Sequence, residues 1–400
     1  MQHAEQKQRR LLSLDAFRGL TIAAMVLVNN PGTWDYVYAP LLHKPWDGLT
    51  PTDLVFPFFI FMVGVSIAFA FQKRKDAGEP VSKMRNKVIF RALKIYIVGM
   101  ILYAIMHWPI TSFSEVRYLG VLHRISLVFF VCGLLFLYTK PKTQILLCVL
   151  FLLLYHCCMT MIPMPEGRGI RLEPGDNISA LVDSKILPGH PYWGPWNDHG
   201  DWDDTNPYMK SWDPEGLFST IPAFSSGLIG ILAGLLLLGP KTKERKTIIL
   251  FFAGFLMLIA GYFWGQSFPV NKSLWSSSYV LVSSGFACMG LAACYYYMDI
   301  LGRTKLLHFA VVFGCNAIAI YCLADLLTLV FYTDWGTRFP QAGSFAQFLS
   351  PGLNTQFIDW MTTCHGCSQK LASLLYGLFF VFVNFIPAYV LYKFKIYIRL

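Results

Sequence analysis

Apolar runs about 20 residues long recur along the whole chain, and they limit its fold more than any other feature. Each run can cross a bilayer core of about 30 Å. The runs are continuous, unlike the shorter alternating segments of a membrane barrel, so helices are the expected spanning element. Only 14% of residues are charged and the mean hydropathy is +0.48, against about 25% charged in a soluble domain. The expected fold class is an all-α polytopic membrane protein with about ten transmembrane helices. The expected spans are roughly 12–30, 53–72, 88–106, 119–138, 143–161, 217–238, 247–266, 276–298, 306–330 and 369–392. Residues 1–400 read as one transmembrane domain, and the polar start at 1–10 gives no sign of a cleavable signal peptide.

The net charge of +10 would suit nucleic acid, but its distribution argues against that partner. With the N-terminus inside, 20 of the 33 basic residues fall in short inner segments and 9 in the much longer outer ones. That asymmetry is the positive-inside signal, and it puts both termini in the cytoplasm. The two longest connections, 162–216 and 331–368, are then extracytoplasmic loops. The bilayer accounts for the basic charge, and no nucleic acid is expected.

On this topology an unusual turn faces outward. The stretch 41–66 (LLHKPWDGLTPTDLVFPFFIFMVGVS) opens with His43, Trp46, Asp47 and Asp53, then runs uncharged into an apolar helix. A histidine and a carboxylate at a helix mouth suit proton chemistry better than lipid packing. Thr50, Pro51 and Asp53 also fit a capping box, so Asp53 is divided between a cap and an orienter of His43.

Other polar residues sit where lipid would not welcome them. Arg18 lies three residues after Asp15, on the same helix face, and reads either as an anchor or as an inward-facing anion site. Arg124, beside His123, needs a partner or a water-filled cavity. Asn316 and Asp325 raise the same question, and an interhelical hydrogen bond serves Asn316 equally well. Asp213 and Glu215, before the sixth span, suit a helix N-terminus. Asn271, Lys272 and Trp275 open the eighth span. Cys364 and Cys367 (CHGC) could pair locally, the other cysteines read as small apolar side chains, and no metal site is expected.

Several long motifs occur in order: RLLSLDAFRGLTIAAMVLVNN, the H-x-x-W-D-G-L-T-x-x-D-L-V-F-P turn, LGVLHRISL, DPEGLFSTIPAF, PVNKSLWSSSYV and FGCNAIAIY. Together they resemble the heparan-α-glucosaminide N-acetyltransferase family of transmembrane acyltransferases, from Arg10 to about Asp325. The resemblance implies transfer of an acetyl group from cytosolic acetyl-CoA to a glucosamine amine across the membrane. It puts the active-site histidine at His43, with Asp53 and Asn29 as partners. The family's usual asparagine is Asp47 here, and its usual glutamine is His123. The expected form is a bacterial inner-membrane member without the luminal N-terminal domain, its His43 side facing the periplasm.

Combined with the residue reading, His43 takes a proton from the amine or carries the acetyl group, Asp53 orients it, and Asn29 faces the oxyanion. Arg18, Arg124, Asn316 and Lys241 are the candidate contacts for acetyl-CoA. Trp46, Glu215, Asn271, Lys272 and Trp275 are those for an amino sugar or glycosaminoglycan-derived saccharide. Trp193, Trp196, Trp202 and Trp212, with Asp198, Asp201, Asp203 and Asp204, could add sugar contacts, or form an interfacial aromatic belt with solvated charges. An amino-sugar transporter of the inner membrane is the alternative function, and a homodimer stays open.

Overall fold

The computed structural model describes residues 11–108, 110, 116–165, 167–187, 213–338 and 343–398. The eight tryptophans and aspartates of 193–212 named above lie outside the described residues.

The apolar runs fold into helices close to the expected spans. These are α1 (Leu12–Asn29), α2 (Val55–Asp76, led by a 3-10 turn at Pro51–Leu54), α3 (Val81–Met106), α4 (Val121–Tyr138) and α5 (Pro141–Met161). After the first long connection come α7 (Thr220–Leu238), α8 (Lys243–Trp264), α9 (Ser277–Tyr295, continued by a π turn to Ile300) and the last helix, α15 (Gln369–Lys393). Local chemistry sets several starts. Ser276 accepts the Tyr279 N–H, Thr242 that of Arg245 and Ser368 that of Leu371, while Pro141 opens α5.

Among the described residues nine helices are long and apolar enough to cross a membrane. The expected ninth span is not one straight helix. It is α10 (His308–Cys315) and α11 (Ala317–Phe331), bent by 85° at Asn316; counted as one, the pair brings the total to ten. The Asn316 amide serves the break. Its Nδ2 donates to the Ile396 carbonyl at 3.0 Å and its Oδ1 accepts the Ile398 N–H at 2.8 Å, so the C-terminal tail satisfies the side chain.

The long connections carry small elements. A two-stranded antiparallel ribbon pairs β1 (Leu172–Glu173) with β2 (Asp176–Asn177), with Leu172 opposite Asn177, and leads into α6 (Ile178–Ile186). The second connection holds α12 (Trp335–Arg338), α13 (Gly343–Phe348) and α14 (Leu353–Thr363). Cys364 and Cys367 follow as free thiols, so the local disulfide is not formed.

Glycines let the central helices touch through their backbones. A Cβ on Gly64 would stand 1.9 Å from the Gly227 carbonyl oxygen, and one on Gly230 would stand 2.0 Å from that of Phe61. The α2–α7 seam is therefore closed to any larger residue, as in membrane helix pairs built on small residues. Gly19 and Gly314 do the same between α1 and α10. Helices α1, α2, α4, α7 and α9 form the interior, while α3, α5, α8 and α15 lie largely on the outside.

The seam is testable. Gly64→Leu should destabilise the protein by about 1–3 kcal/mol, read as a lower thermal unfolding midpoint in detergent. Leu146→Ala, at a side chain 66% exposed on the outer surface, should leave the midpoint nearly unchanged.

Candidate functional site

The turn before α2 folds back on its own helix start. The Asp53 carboxylate is only 1% exposed. Its Oδ2 accepts the Thr50 N–H at 2.9 Å, the Thr50 hydroxyl at 3.0 Å and the Lys44 N–H at 3.2 Å. This is the capping box, with Pro51 at the first helical position. Its Oδ1 lies 2.7 Å from His43 Nδ1. One carboxylate thus caps the helix with one oxygen and orients the imidazole with the other. An ionised carboxylate only accepts, so Nδ1 carries the proton and Nε2 keeps a lone pair.

A second segment brings Lys272 to the same ring. Its Nζ stands 3.0 Å from Nδ1 and 3.3 Å from Nε2 of His43, and 3.8 Å from Asp53 Oδ1. The Asn271 side chain holds this segment. Its Oδ1 accepts the Leu274 N–H at 2.9 Å and its Nδ2 donates to Asp47 Oδ1 at 3.1 Å. The backbone joins in, with the Gly48 N–H donating to the Val270 carbonyl at 2.7 Å. The Tyr279 hydroxyl, from the first turn of α9, donates to the Asp53 carbonyl at 2.6 Å.

Beneath this layer lies a buried cation. Arg124 is 1% exposed and donates through Nη2 to the Gly216 carbonyl at 3.1 Å and to the Ser219 hydroxyl. Its Nε and Nη1 make no hydrogen bond among the described residues. The guanidinium stacks 4.9 Å from the Trp275 ring centroid, a cation–π contact. Trp275 adopts φ 53°, the left-handed region that bulky residues avoid. Edge contacts from Phe56 and Tyr279 and a 3.4 Å hydrogen bond from its indole N–H to Ser226 hold it there.

A third segment, before α7, closes the side. Arg117 donates to both oxygens of Asp213, at 2.6 and 2.7 Å, and to Glu215 Oε2 at 2.5 Å. Asp213 also accepts the Glu215 N–H at 2.8 Å. Asp213 and Glu215 therefore serve an ion cluster as well as the turn. Asp183 in α6 is 2% exposed and accepts the Phe218 N–H at 3.1 Å, while its Oδ2 has no hydrogen-bond partner among the described residues. Burial pushes its carboxyl up to about 7.

Burial and charge together tune the titrating groups of this cluster. The surrounding protein disfavours the imidazolium and lowers the His43 pKa; the Asp53 hydrogen bond opposes this and the Lys272 cation reinforces it. Burial lowers the Lys272 pKa against the pull of Asp53 and Glu215. Burial works to raise Glu215, but Arg117, Arg124 and Lys272 outweigh it and hold the carboxyl low.

His43, Asp53 and Lys272 are in mutual contact, and Glu215, Asn271, Trp275 and Arg124 stand immediately around them. Asn271 and Trp275 are buried (0% and 1% exposed), and their side chains contact Asp47, Leu274 and Arg124. The Trp46 indole N–H donates to the Leu172 carbonyl at 3.0 Å, pinning the turn to β1. Asn29 ends α1 and is exposed. Arg18 lies elsewhere, tied to Ser66 at 2.9 Å, Asp15 at 3.6 Å and the Gly314 carbonyl at 3.4 Å. Lys241 is exposed in the α7–α8 connection at the opposite end, and Asn316 holds the C-terminal tail. Sequence reading missed Arg117, Asp183, Ser219 and Tyr279, whose partners are 35 to 226 residues away.

The turn lies within the stretch that resembles a known family model. The family model described as heparan-alpha-glucosaminide N-acetyltransferase, catalytic, matches residues 10–168, which include His43 and Asp53. The chain is similar to two proteins named heparan-alpha-glucosaminide N-acetyltransferase, from Homo sapiens and Mus musculus. It is 27% identical to each over 82% of its own length, covering 54% and 55% of theirs. The chain thus spans about half the length of the curated relatives it matches.

The Lys272 contact predicts a pH shift. Burial is the main cause of the lowered His43 pKa and the neighbouring cation adds to it, so Lys272→Met should raise the His43 pKa from its lowered position. The pH dependence of diethyl pyrocarbonate labelling at His43, which follows the neutral ring, measures this. Half-maximal labelling should lie below 6.5 in the intact protein and move upward in the variant.

Proposed function

We propose that this chain, a relative of the heparan-α-glucosaminide N-acetyltransferases, is a membrane N-acetyltransferase. It moves an acetyl group from acetyl-CoA to the amine of a glucosamine-type sugar at the His43 end of the bundle. The observation that carries this reading is the Asp53–His43 pair. Asp53 fixes Nδ1 as the protonated nitrogen, and Nε2 is left as a base on a ring 38% exposed. An attacking amine must lose a proton, and a positioned imidazole of lowered pKa remains basic at neutral and mildly acidic pH.

The acceptor sugar approaches from the open side of His43, and Nε2 takes the amine proton as the nitrogen attacks the thioester carbonyl. The tetrahedral intermediate needs donors at its oxyanion. The Asn29 amide, exposed at the end of α1, is the group assigned to it. Glu215 sits close enough to Lys272 to bias its charge, and it also offers a carboxylate to an incoming ammonium.

The donor's nucleotide end is assigned to the opposite end of the bundle. Toward that end Arg18, in the first half of α1 and bonded to Ser66 midway along α2, stands at the junction with α10 with a quarter of its side chain exposed. Lys241 adds charge on the same side. The pantetheine arm then runs between helices toward His43. In a membrane, the charge asymmetry of the loops supports an orientation with the Lys241 end in the cytoplasm and the His43 end outside.

Separate variants test the two ends. His43→Ala should abolish transfer of labelled acetyl to glucosamine while CoA binding, measured by titration calorimetry, persists. Asp53→Asn should lower kcat by roughly 10²–10⁴-fold. Arg18→Ala should weaken CoA binding by on the order of tenfold, the loss of one charge-assisted hydrogen bond. Retained turnover in His43→Ala would overturn the assignment of the base.

A further inference from the structure

We propose that Lys272 is an internal acetyl acceptor: with no amino sugar bound, the site transfers acetyl from its thioester donor to Lys272 Nζ. This inference rests on the reading of the site as an amine acetyltransferase. An acceptor amine must reach the base at about 2.6–3.2 Å. Lys272 Nζ already stands 3.3 Å from His43 Nε2, the nitrogen that Asp53 leaves with a lone pair. It therefore occupies the place that the nitrogen of the sugar must take. A site that activates one primary amine has no chemical means to spare another at the same position.

The lysine is held there by more than chance contact. Asn271 is 0% exposed, and its side chain and backbone fix the 271–276 turn through Asp47, Leu274 and Ser276. The intact turn fixes the backbone that carries the lysine, whose Nζ rests 3.0 and 3.3 Å from the two ring nitrogens. Partial burial favours the neutral amine, whereas Asp53 at 3.8 Å and Glu215 favour the ammonium. Those two carboxylates make the lysine a slower acceptor than a free sugar amine, which arrives with no such partners.

The step balances. The ammonium first gives one proton to water. The neutral nitrogen attacks the thioester carbonyl, forming an amide C–N bond as the C–S bond breaks. His43 Nε2 takes the second proton and returns it to the departing thiolate, so the products are N-acetyl-lysine and free thiol. The acetylated side chain has no charge, leaves Asp53 and Glu215 without their cation, and fills the seat of the acceptor. Donor alone should therefore silence the enzyme progressively, and acceptor should protect it.

Peptide mass spectrometry of the full chain in detergent, incubated with acetyl-CoA, tests this. The expected result is an acetyl group on Lys272 that accumulates ahead of any on the exposed Lys83, is suppressed by added glucosamine, and is lost in His43→Ala. The glucosamine arm uses the intact protein, so a folding defect in the variant does not blunt the test. Acetylated glucosamine with unmodified Lys272 would overturn the inference and leave the acetyltransferase reading standing. Acetylation of Lys272 no faster than Lys83 and insensitive to glucosamine would mark ordinary chemical acylation and overturn it too. Acetyl on neither amine would overturn the underlying reading, and the inference with it.

Discussion

A buried carboxylate must be satisfied on every side, and Asp53 is where this molecule meets that requirement. Its two oxygens gather the Thr50 and Lys44 backbone amides, the Thr50 hydroxyl and the His43 ring, with Lys272 a little further off. Hydrogen bonds to a charged group are worth about 1.5–3 kcal/mol each, and leaving such a group unpaired costs more. The turn 43–53 therefore cannot open without stranding the charge. The same constraint that starts α2 also aims the imidazole, so capping and orientation are one interaction rather than rival explanations.

That turn sits on a floor that the rest of the chain supplies. Arg124 from α4, the 213–219 segment before α7 and the 271–279 segment into α9 converge below it. Trp275 keeps a backbone conformation that costs of order 1–3 kcal/mol, because its ring fits between Arg124, Phe56 and Tyr279. The glycine seam of α2 and α7 brings these helix starts together. Packing in the middle of the bundle thus positions chemistry at one end.

The spans were legible because a bilayer demands long apolar runs, and nine helices fall close to the expected positions. The break at Asn316 was not. FGCNAIAIY stays apolar through the bend, and hydropathy does not register an amide whose partners, Ile396 and Ile398, lie some 80 residues later. His43, Asp53 and Lys272 stood out as polar groups in motifs, and the fold brings them into contact. Arg117 resembled an ordinary loop charge, since its partners Asp213 and Glu215 are 96 and 98 residues away. Trp275 and Asn271 stood out as polar and aromatic groups in a motif, while their burial, at 1% and 0% exposed, depended on the fold. Side-chain identity revealed which residues matter, while depth and partner depended on long-range packing.

The central claim is that the donor is taken at one end of the bundle and the acceptor at the other. Reconstitution of the protein in sealed vesicles, with its orientation mapped by protease, tests it directly. Labelled acetyl-CoA and glucosamine are confined to opposite sides in one arrangement and to the same side in another. The account predicts labelled N-acetylglucosamine when acetyl-CoA meets the Lys241 end and glucosamine meets the His43 end. Product formed only when both are supplied on the His43 side would contradict it.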